Sequence, residues 1–367
     1  MKRAGNIYNE ICDIENIKYA IRMAGRRKQH HRAVAAVFDD IDSHAEKLQK
    51  ILIERTYTPA PYKIKEIKDG ASGKIRTISC PKFFPDQVIH WAVVTPLQPV
   101  MSRGTYAHAA GGTPGRGAHQ IIKTCQKWIK EDLKNTKYIL KLDVRKFYQS
   151  VDNTILKQML RRVLKDPDTL WLLDQIIDSS KGLPIGNYTS VWLSDFYMQG
   201  IDNFIKQDLK ITHYVRYVDD MILFGRNKKK LHKDRQDIDE YLNLNLHLSL
   251  KENWQVFPIK YRDLDFLGYR INRDRVILRK ITALRIRRRA KRIARKRSMS
   301  HSDASAMVSY MGMLKSCNSY NFKKKHIWPF VNIKNMRRVI SRWQKQKTTL
   351  LRTNTKLRDM RTKQTLF

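Results

Sequence analysis

The amino-acid sequence predicts a mixed α+β protein with several subdomains. Its 367 residues are 42% hydrophobic, which is enough to bury one large core or two to three modest ones. Short β-branched runs alternate with longer stretches whose apolar residues recur at helical spacing. Charge is unevenly spread, because Asp303 and Asp359 are the only acidic residues beyond Asp274. We therefore expect a cationic helical module to follow a region that carries nearly all the carboxylates.

The first 135 residues are expected to contain helices and one β-hairpin. The predicted helices cover 16–54, 86–98 and 117–133, and the predicted strands cover 62–68 and 74–79. Gly, Asp and Ser dominate residues 68–73, a composition typical of the turn that would join the two strands. A glycine-rich loop at 111–117 separates the later helices and resembles no phosphate-binding fingerprint closely.

The middle of the chain is expected to form strands that end in aspartates. Residues 138–144 are β-branched and apolar up to Asp143, which predicts a buried strand ending there. Two further strand-like runs, 212–217 and 221–224, flank Val218-Asp219-Asp220 and predict a hairpin with two aspartates at its tip. The segments between these strands are predicted to be helices over 153–164, 169–177 and 190–208, and a loop over 181–187.

The net charge of +39 indicates an anionic partner, and nucleic acid is the default choice. We find neither an uncharged apolar run of about 18 residues nor a signal-peptide pattern, so no membrane partner is expected. The four cysteines show no Cys-x-x-Cys spacing and suggest neither a zinc site nor a disulfide scaffold. A reducing, cytoplasmic setting fits this cysteine usage best.

Three aspartates at strand ends are the candidate catalytic and metal-binding residues: Asp143, Asp219 and Asp220. Joining a nucleotide to a primer commonly uses two divalent cations, and Mg²⁺ prefers carboxylate and phosphate oxygens as ligands. A pair of aspartates at a hairpin tip is often only a turn, since Asp tolerates unusual backbone angles. Here the flanking strands are strongly apolar, and like charges in such a setting repel one another unless a cation compensates them.

Several motifs, in order along the chain, resemble those of bacterial reverse transcriptases from group II introns, diversity-generating retroelements and defence-associated groups. Residues 217–220, Tyr-Val-Asp-Asp, are similar to the Tyr-x-Asp-Asp box. Residues 141–148 resemble the strand and turn that carry the first catalytic aspartate. The other similar segments are the fingers hairpin at 73–79, the template-and-nucleotide loop at 182–190 and the primer-grip turn at 266–269.

The resemblance implies a right-hand polymerase fold of fingers, palm and thumb. In this chain the expected divisions are a helical N-terminal segment (1–55), fingers (56–135), a palm with a fingers-derived insert (136–275), a thumb (276–322) and a basic tail (323–367). The resemblance also implies that Asp143, Asp219 and Asp220 hold two Mg²⁺ ions, for which Mn²⁺ could substitute.

The same resemblance assigns nucleotide-binding roles to four residues. Tyr148, five residues after Asp143, matches the aromatic that would clash with a ribose 2′-hydroxyl, although it could also be a palm core residue. Lys74 and Arg76 match fingers positions that contact the incoming triphosphate, or belong to a solvated basic hairpin. Gly186 lies in the template-and-nucleotide loop, whose Ile185-Gly186 pair is similar to the retroelement and defence groups.

A basic segment over 281–297 is expected to bind the nucleic-acid backbone. Apolar residues and arginines alternate there at helical spacing, which predicts one buried stripe and one cationic face. The candidate phosphate-binding residues are Arg288, Arg289, Arg292 and Lys296. A helix lying on a membrane surface has similar chemistry and is the alternative. The tail from 323 onward combines lysines and arginines with Trp328 and Trp343. This combination is typical of a segment that binds structured RNA, or of a solvated helix whose tryptophans face inward.

The leading functional hypothesis is an RNA-directed DNA polymerase that copies a cognate RNA, in an antiphage defence system or a diversity-generating retroelement. Its expected partners are a structured noncoding or template RNA, the DNA product, deoxynucleoside triphosphates and an accessory protein. A non-catalytic RNA-binding protein on a polymerase scaffold is the alternative from another class. An RNA-templated RNA polymerase or a template-free nucleotide transferase would share the same motifs.

Overall fold

The computed structural model describes residues 2–68, 73, 75–113 and 115–346. These residues divide into two units, and the mixed α+β class predicted from the sequence is confirmed. The first unit consists of the described residues up to Arg26 together with Val37–Asp263, and the second consists of Arg27–Ala36 and the described residues from Leu264 onward. None of the helices in the described part of the chain combines the length and apolar composition that crossing a membrane requires.

The chain begins with helices, as predicted for residues 16–54. They are α1 (Ile7–Cys12), α2 (Ile14–Ala24), α3 (Arg32–Asp39) and α4 (Ile41–Ile53). The Asp13 and Asp40 side chains accept hydrogen bonds from first-turn N–H groups of α2 and α4, which fixes where these two helices start. Ala45, Leu48 and Leu52 form the fully buried stripe of α4.

The predicted hairpin is present as β1 (Lys63–Lys68) and β2 (Ile75–Cys80), which pair antiparallel from Lys63 opposite Cys80 to Lys68 opposite Ile75. The predicted turn at 68–73 lies largely outside the described residues, and Lys74 lies outside them entirely. The next elements are a π-helical turn (Phe83–Gln87), α5 (Val88–Met101), β3 (Ala109–Ala110) and α6 (Ala118–Glu131).

A five-stranded sheet lies at the centre of the first unit. Its strands are β3, β4 (Tyr138–Asp143), β5 (Tyr214–Tyr217), β6 (Asp220–Gly225) and β7 (Gln255–Pro258). The spatial order is β3-β5-β6-β4-β7, with β3 parallel to β5 and the other neighbours antiparallel. Ile139, Leu140 and Leu142 of β4 are buried, as predicted for this strand. The order brings the ends of β4 and β6 side by side.

The middle of the chain also contains six helices: α7 (Phe147–Ser150), α8 (Asn153–Val163), α9 (Pro167–Asp178), α10 (Tyr188–Tyr197), α11 (Gln199–Asn203) and α12 (Lys228–Leu246). The prediction of one continuous helix over 190–208 is wrong, because α10 ends before Met198 and a π-helical turn (Phe204–Asp208) follows α11. Gly200 in α11 lies against the Tyr241 hydroxyl, where a Cβ would come within 2.7 Å. A glycine there permits this close approach and weakens the helix.

The second unit contains a small sheet and basic helices. Its elements are β8 (Leu264–Phe266), β9 (Tyr269–Ile271), β10 (Val276–Leu278), α13 (Lys280–Ala294), α14 (His301–Leu314) and α15 (Tyr320–His326). The predicted turn at 266–269 is a two-residue hairpin turn in which Leu267 and Gly268 both have positive φ. Ile286, Ala290 and Ile293 form the buried stripe of α13, and Leu284 is only partly buried.

Candidate active site

Three aspartates meet at one end of the central sheet. Asp143 is the last residue of β4 and lies directly opposite Asp220, the first residue of β6, in the antiparallel ladder. Side chains of directly opposed residues lie on the same face, with Cβ atoms about 5 Å apart. Asp219 occupies the two-residue turn between Tyr217 and Asp220. Only Asp219 is therefore at the tip, and the prediction of two aspartates there is corrected, because Asp220 already pairs within the sheet.

The turn that carries Asp219 has an unusual backbone. Val218 has φ 57°, a left-handed conformation that is rare for a β-branched residue. Its N–H donates to the carbonyl of Ala110 at 3.0 Å, and its own carbonyl accepts from the guanidinium of Arg216 at 3.0 Å. Gly111 lies so close that a Cβ at this position would come within 2.5 Å of the Val218 side chain. Ala110 and Gly111 on one segment and Arg216 on another therefore fix the conformation of the turn.

The electrostatics of the site favour binding of a cation. Burial, followed by the charges of Asp143 and Asp220, raises the pKa of Asp219 from 3.8 to about 7, and Lys251 partly offsets this rise. The Lys251 ammonium donates to Asp143 Oδ2 at 2.5 Å, whereas Asp143 Oδ1 is buried without a hydrogen-bond partner. The three carboxylates are thus close enough to repel one another, and one oxygen atom is left for an additional ligand.

The donor atoms of this site fit a hard divalent ion such as Mg²⁺, which prefers carboxylate oxygens. Across the described ranges, no set of three or more His, Cys, Asp and Glu side chains is arranged so as to hold a metal ion. This observation is consistent with Mg²⁺ sites of nucleotidyl transfer, where one or two carboxylates are supplemented by water and substrate phosphates. Asp143, Asp219 and Asp220 thus offer ligands without enclosing an ion.

Lys251 is a site residue that the sequence did not reveal. Its backbone N–H donates to the Asp143 carbonyl at 2.8 Å, and Leu250 forms an isolated antiparallel bridge with Val144. These two contacts place the lysine beside the end of β4. The alternating apolar residues just before Lys251 indicate a short extended piece, but no local pattern links it to an aspartate 108 positions earlier.

Tyr148, a candidate nucleotide-binding residue, lies near Asp219. Burial is the largest cause that raises the pKa of its phenol, and the charge of Asp219 raises it further. The Ser194 hydroxyl approaches the Tyr148 hydroxyl at 3.5 Å, a contact at the limit of a hydrogen bond. The side chain is only partly buried, so its exposed part remains accessible to a substrate.

The predicted nucleotide loop packs between Tyr148 and β2. The N–H of Leu183 donates to the Tyr148 carbonyl at 2.7 Å, and the N–H of Ser79 donates to the Ile185 carbonyl at 2.8 Å. Gly186 has φ 130°, and a Cβ there would come within 2.2 Å of the Ser79 carbonyl oxygen. This position therefore requires glycine for packing. Arg76 is exposed on the same strand, three residues before Ser79.

The basic face of α13 and Lys296, which lies just beyond the end of this helix, form an internal ion cluster. Arg289, Arg292 and Lys296 all approach the buried carboxylate of Asp303, with Arg292 at 3.6 Å and Arg289 at 3.8 Å from Oδ1 and Lys296 close to Oδ2. Arg288 is exposed on the same helix. Three of the four predicted phosphate-binding side chains are thus partly neutralised within the second unit itself.

The aromatic residues of the basic tail occupy different environments. Trp343 stacks on His301 with ring centroids 3.8 Å apart, whereas Trp328 is 47% exposed and lies near the Lys323 ammonium. The structure therefore supports the inward-packed alternative for Trp343 and leaves Trp328 accessible. The tail beyond 346 lies outside the described residues.

Comparisons with curated proteins find similarity to an intron-encoded protein and to an intron maturase. The Group II intron-encoded protein LtrA of Lactococcus lactis subsp. cremoris is 24% identical over 176 residues, which are 44% of this chain and 28% of that protein. Nuclear intron maturase 1, mitochondrial, of Arabidopsis thaliana is 28% identical over 112 residues, which are 30% of this chain and 15% of that protein. The chain spans less than a third of the length of each of these relatives.

Two solved telomerase structures share low sequence identity with the chain. The apo telomerase from Candida tropicalis, truncated from the C-terminal domain, has a TM-score of 0.47 and 15% identity, covering 65% of this chain and 60% of that one. The telomerase from Candida albicans in complex with a fragment of telomeric RNA has a TM-score of 0.47 and 12% identity, covering 73% and 58%.

The comparison with family profiles covers more of the chain than either curated relative does. The profile described as reverse transcriptase (RNA-dependent DNA polymerase) matches residues 65–271, which are more than half of the sequence. This range includes β2, the carboxylates at the ends of β4 and β6, Tyr148 and Lys251. The chain therefore belongs to the reverse transcriptase family, whose members have the polymerase fold and use divalent metal ions.

Proposed function

We propose that this chain is an RNA-directed DNA polymerase that makes complementary DNA from a cognate structured RNA. The observation that carries the proposal is the pairing of Asp143 with Asp220 in adjacent strands, with Asp219 in the turn beside them. Two Mg²⁺ ions, or Mn²⁺, would be held by these three carboxylates together with substrate oxygens. When bound, such ions activate the primer hydroxyl and neutralise the leaving pyrophosphate.

The chain's own residues would position the substrates. The Lys251 ammonium contacts the Asp143 carboxylate. This lysine would therefore place a positive charge beside the triphosphate of a nucleotide bound at the aspartates. Tyr148 would lie against the sugar of the incoming nucleotide and exclude a ribose 2′-hydroxyl. Arg76 and Lys74 would contact the triphosphate, and Gly186 would keep the nucleotide loop packed on β2.

The basic residues Arg288, Arg289, Arg292 and Lys296 would follow the RNA backbone, and exposed Trp328 could stack on an unpaired base. A dedicated RNA is the favoured partner because the net charge is +39 and the lysines and arginines beyond position 274 far outnumber the acidic residues there. We place the activity in an antiphage defence system or a diversity-generating retroelement, with an accessory protein as a further partner. The identity of the neighbouring genes distinguishes the two settings.

The test is a set of primer-extension reactions with an RNA template, a DNA template and no template, each with deoxynucleotides or ribonucleotides. We expect RNA-templated extension that requires deoxynucleotides and a divalent ion. Extension with ribonucleotides alone would indicate an RNA polymerase, and products formed without a template would indicate a nucleotide transferase. Binding of RNA without any product under these conditions would favour the non-catalytic alternative.

A further inference from the structure

Arg216 is a fully buried cation that stands two residues before the turn at the candidate active site. Its guanidinium donates to both oxygens of Asp202, at 2.8 and 2.6 Å, and to Asp195 Oδ1 at 3.0 Å. A further guanidinium N–H donates to the Val218 carbonyl at 3.0 Å. The exposed fraction of the Arg216 side chain is 0%. One side chain thus joins two buried carboxylates to the backbone of the turn.

The carboxylates that hold Arg216 are themselves held by other residues. The Tyr214 hydroxyl donates to Asp202 at 2.8 Å, and the Thr113 hydroxyl approaches Asp195 Oδ2 at 3.3 Å. Burial alone would lower the pKa of the guanidinium, but the charges of Asp202 and Asp195 raise it above its usual value. Arg216 therefore stays charged, and its planar fork donates to four acceptor atoms at once, whereas a lysine ammonium has only three N–H donors, all on one nitrogen.

The backbone of the turn needs such support. A β-branched residue with φ 57° is disfavoured by contacts within its own backbone, and it persists only where the surroundings determine it. For Val218, the structure shows two backbone hydrogen bonds that do so, one to Ala110 and one from Arg216. Asp219 is the next residue, so the conformation of Val218 decides where the Asp219 carboxylate points relative to Asp143.

We propose that Arg216 is a positioning residue that holds Val218 in its left-handed conformation and thereby sets the affinity of the aspartates for a divalent cation. This inference rests on the proposed function for the identity of the ion, but it concerns ion binding and can be tested without polymerisation. Partners that orient metal ligands typically change metal affinity by about 10-fold to 100-fold when they are replaced. A similar loss is expected when the bond to Val218 is removed.

The experiment measures Mn²⁺ binding to the full chain by electron paramagnetic resonance, without nucleic acid or nucleotide. Arg216→Lys keeps a buried positive charge and loses the fork, so we expect Mn²⁺ to bind at least about tenfold more weakly. Tyr214→Phe is the matched control, because it removes a hydrogen bond to the same Asp202 and leaves the bond to Val218 intact. We expect this control to lower the melting temperature without changing Mn²⁺ affinity.

A rescue variant separates positioning from a general packing role. Glycine adopts positive φ without strain, so Val218→Gly should restore much of the Mn²⁺ affinity when it is added to Arg216→Lys. If Arg216→Lys does not fold, Asp195→Asn replaces it, because this change loosens the guanidinium while keeping Arg216 and Asp202. The same loss and the same rescue by Val218→Gly are then expected.

Three results would overturn the inference: unchanged Mn²⁺ affinity in the folded variant, an equal loss in Tyr214→Phe, or no recovery with Val218→Gly. Failure of the proposed function looks different, because the wild-type protein would then bind no Mn²⁺ at the aspartates. Asp219→Asn in the same titration provides that comparison.

Discussion

The salt dependence of RNA binding tests the proposed role of the basic face of α13. The perturbation is the simultaneous replacement of Arg288, Arg289, Arg292 and Lys296 by glutamine. Four free cations would neutralise up to four phosphates. Three of these side chains, however, share the carboxylate of Asp303 in the structure. Their combined capacity for phosphate is therefore smaller than the sequence alone suggested.

The expected magnitude follows from this local charge balance. Four cations less one carboxylate leave a net charge of +3 at the cluster. Each phosphate that a protein neutralises contributes about 0.9 to the slope of log affinity against log salt for duplexes, and about 0.7 for single strands. We therefore expect the quadruple variant to flatten the slope by about 2 to 3 units, rather than by the roughly 3 to 4 units that four independent cations would give.

The assay is a binding titration with the cognate RNA over a salt series, for the wild-type protein and the quadruple variant. The control replaces Lys123, Lys127 and Lys130 of α6 and the following Lys134 by glutamine, which also removes four positive charges, here from exposed positions of the first unit. The control should leave the slope unchanged. Equal slopes for the wild type and the quadruple variant, or an equal flattening by the control, would refute the reasoning.

Tyr148→Ala should raise the use of ribonucleotides relative to deoxynucleotides by about tenfold or more, because the side chain would no longer exclude a 2′-hydroxyl. An unchanged ratio would show that Tyr148 is only a core residue. Gly186→Ala should lower kcat/KM for the nucleotide by about 100-fold, because the Cβ of the new alanine would lie 2.2 Å from the Ser79 carbonyl oxygen. Gly117→Ala is the control and should have little effect, because a Cβ there would meet no atom within 4 Å. Burial raises the pKa of Asp234 from 3.8 to about 6. The ionised carboxylate therefore lowers the free energy of unfolding progressively between about pH 4 and pH 6, and the loss is complete above pH 6. Asp234→Asn should therefore raise the free energy of unfolding at pH 8 by on the order of 2 kcal/mol and by little at pH 4, and equal gains in urea titrations at both pH values would contradict this.

The elements that depend on local patterns could be predicted from the sequence. The apolar run before Asp143 predicted β4, and the two runs around Asp219 predicted the hairpin, because strand periodicity and turn composition are local properties. Their adjacency in the sheet could be expected only through the resemblance to a known family. The register that sets Asp143 opposite Asp220 is a result of the structure.

The residues that the sequence did not reveal depend on long-range contacts. Lys251 reaches Asp143 across 108 positions, and Arg216 reaches Asp195 and Asp202 in a region that was predicted to be one uninterrupted helix. A buried ion pair leaves no periodic signal, because each partner looks like an ordinary surface charge in its own segment. The same reason explains why Asp303 was not expected to pair with Arg289 and Arg292 of α13.

The most direct test of the proposed function is RNA-templated primer extension by Asp143→Asn and Asp219→Asn, compared with the wild-type protein. An amide keeps the shape of the side chain but not the negative charge that a divalent ion requires, so both variants should fold, bind RNA and fail to extend the primer. Asp234→Asn, a buried aspartate of the same unit outside the site, should extend normally. Full extension by Asp143→Asn or Asp219→Asn would contradict the assignment of the active site.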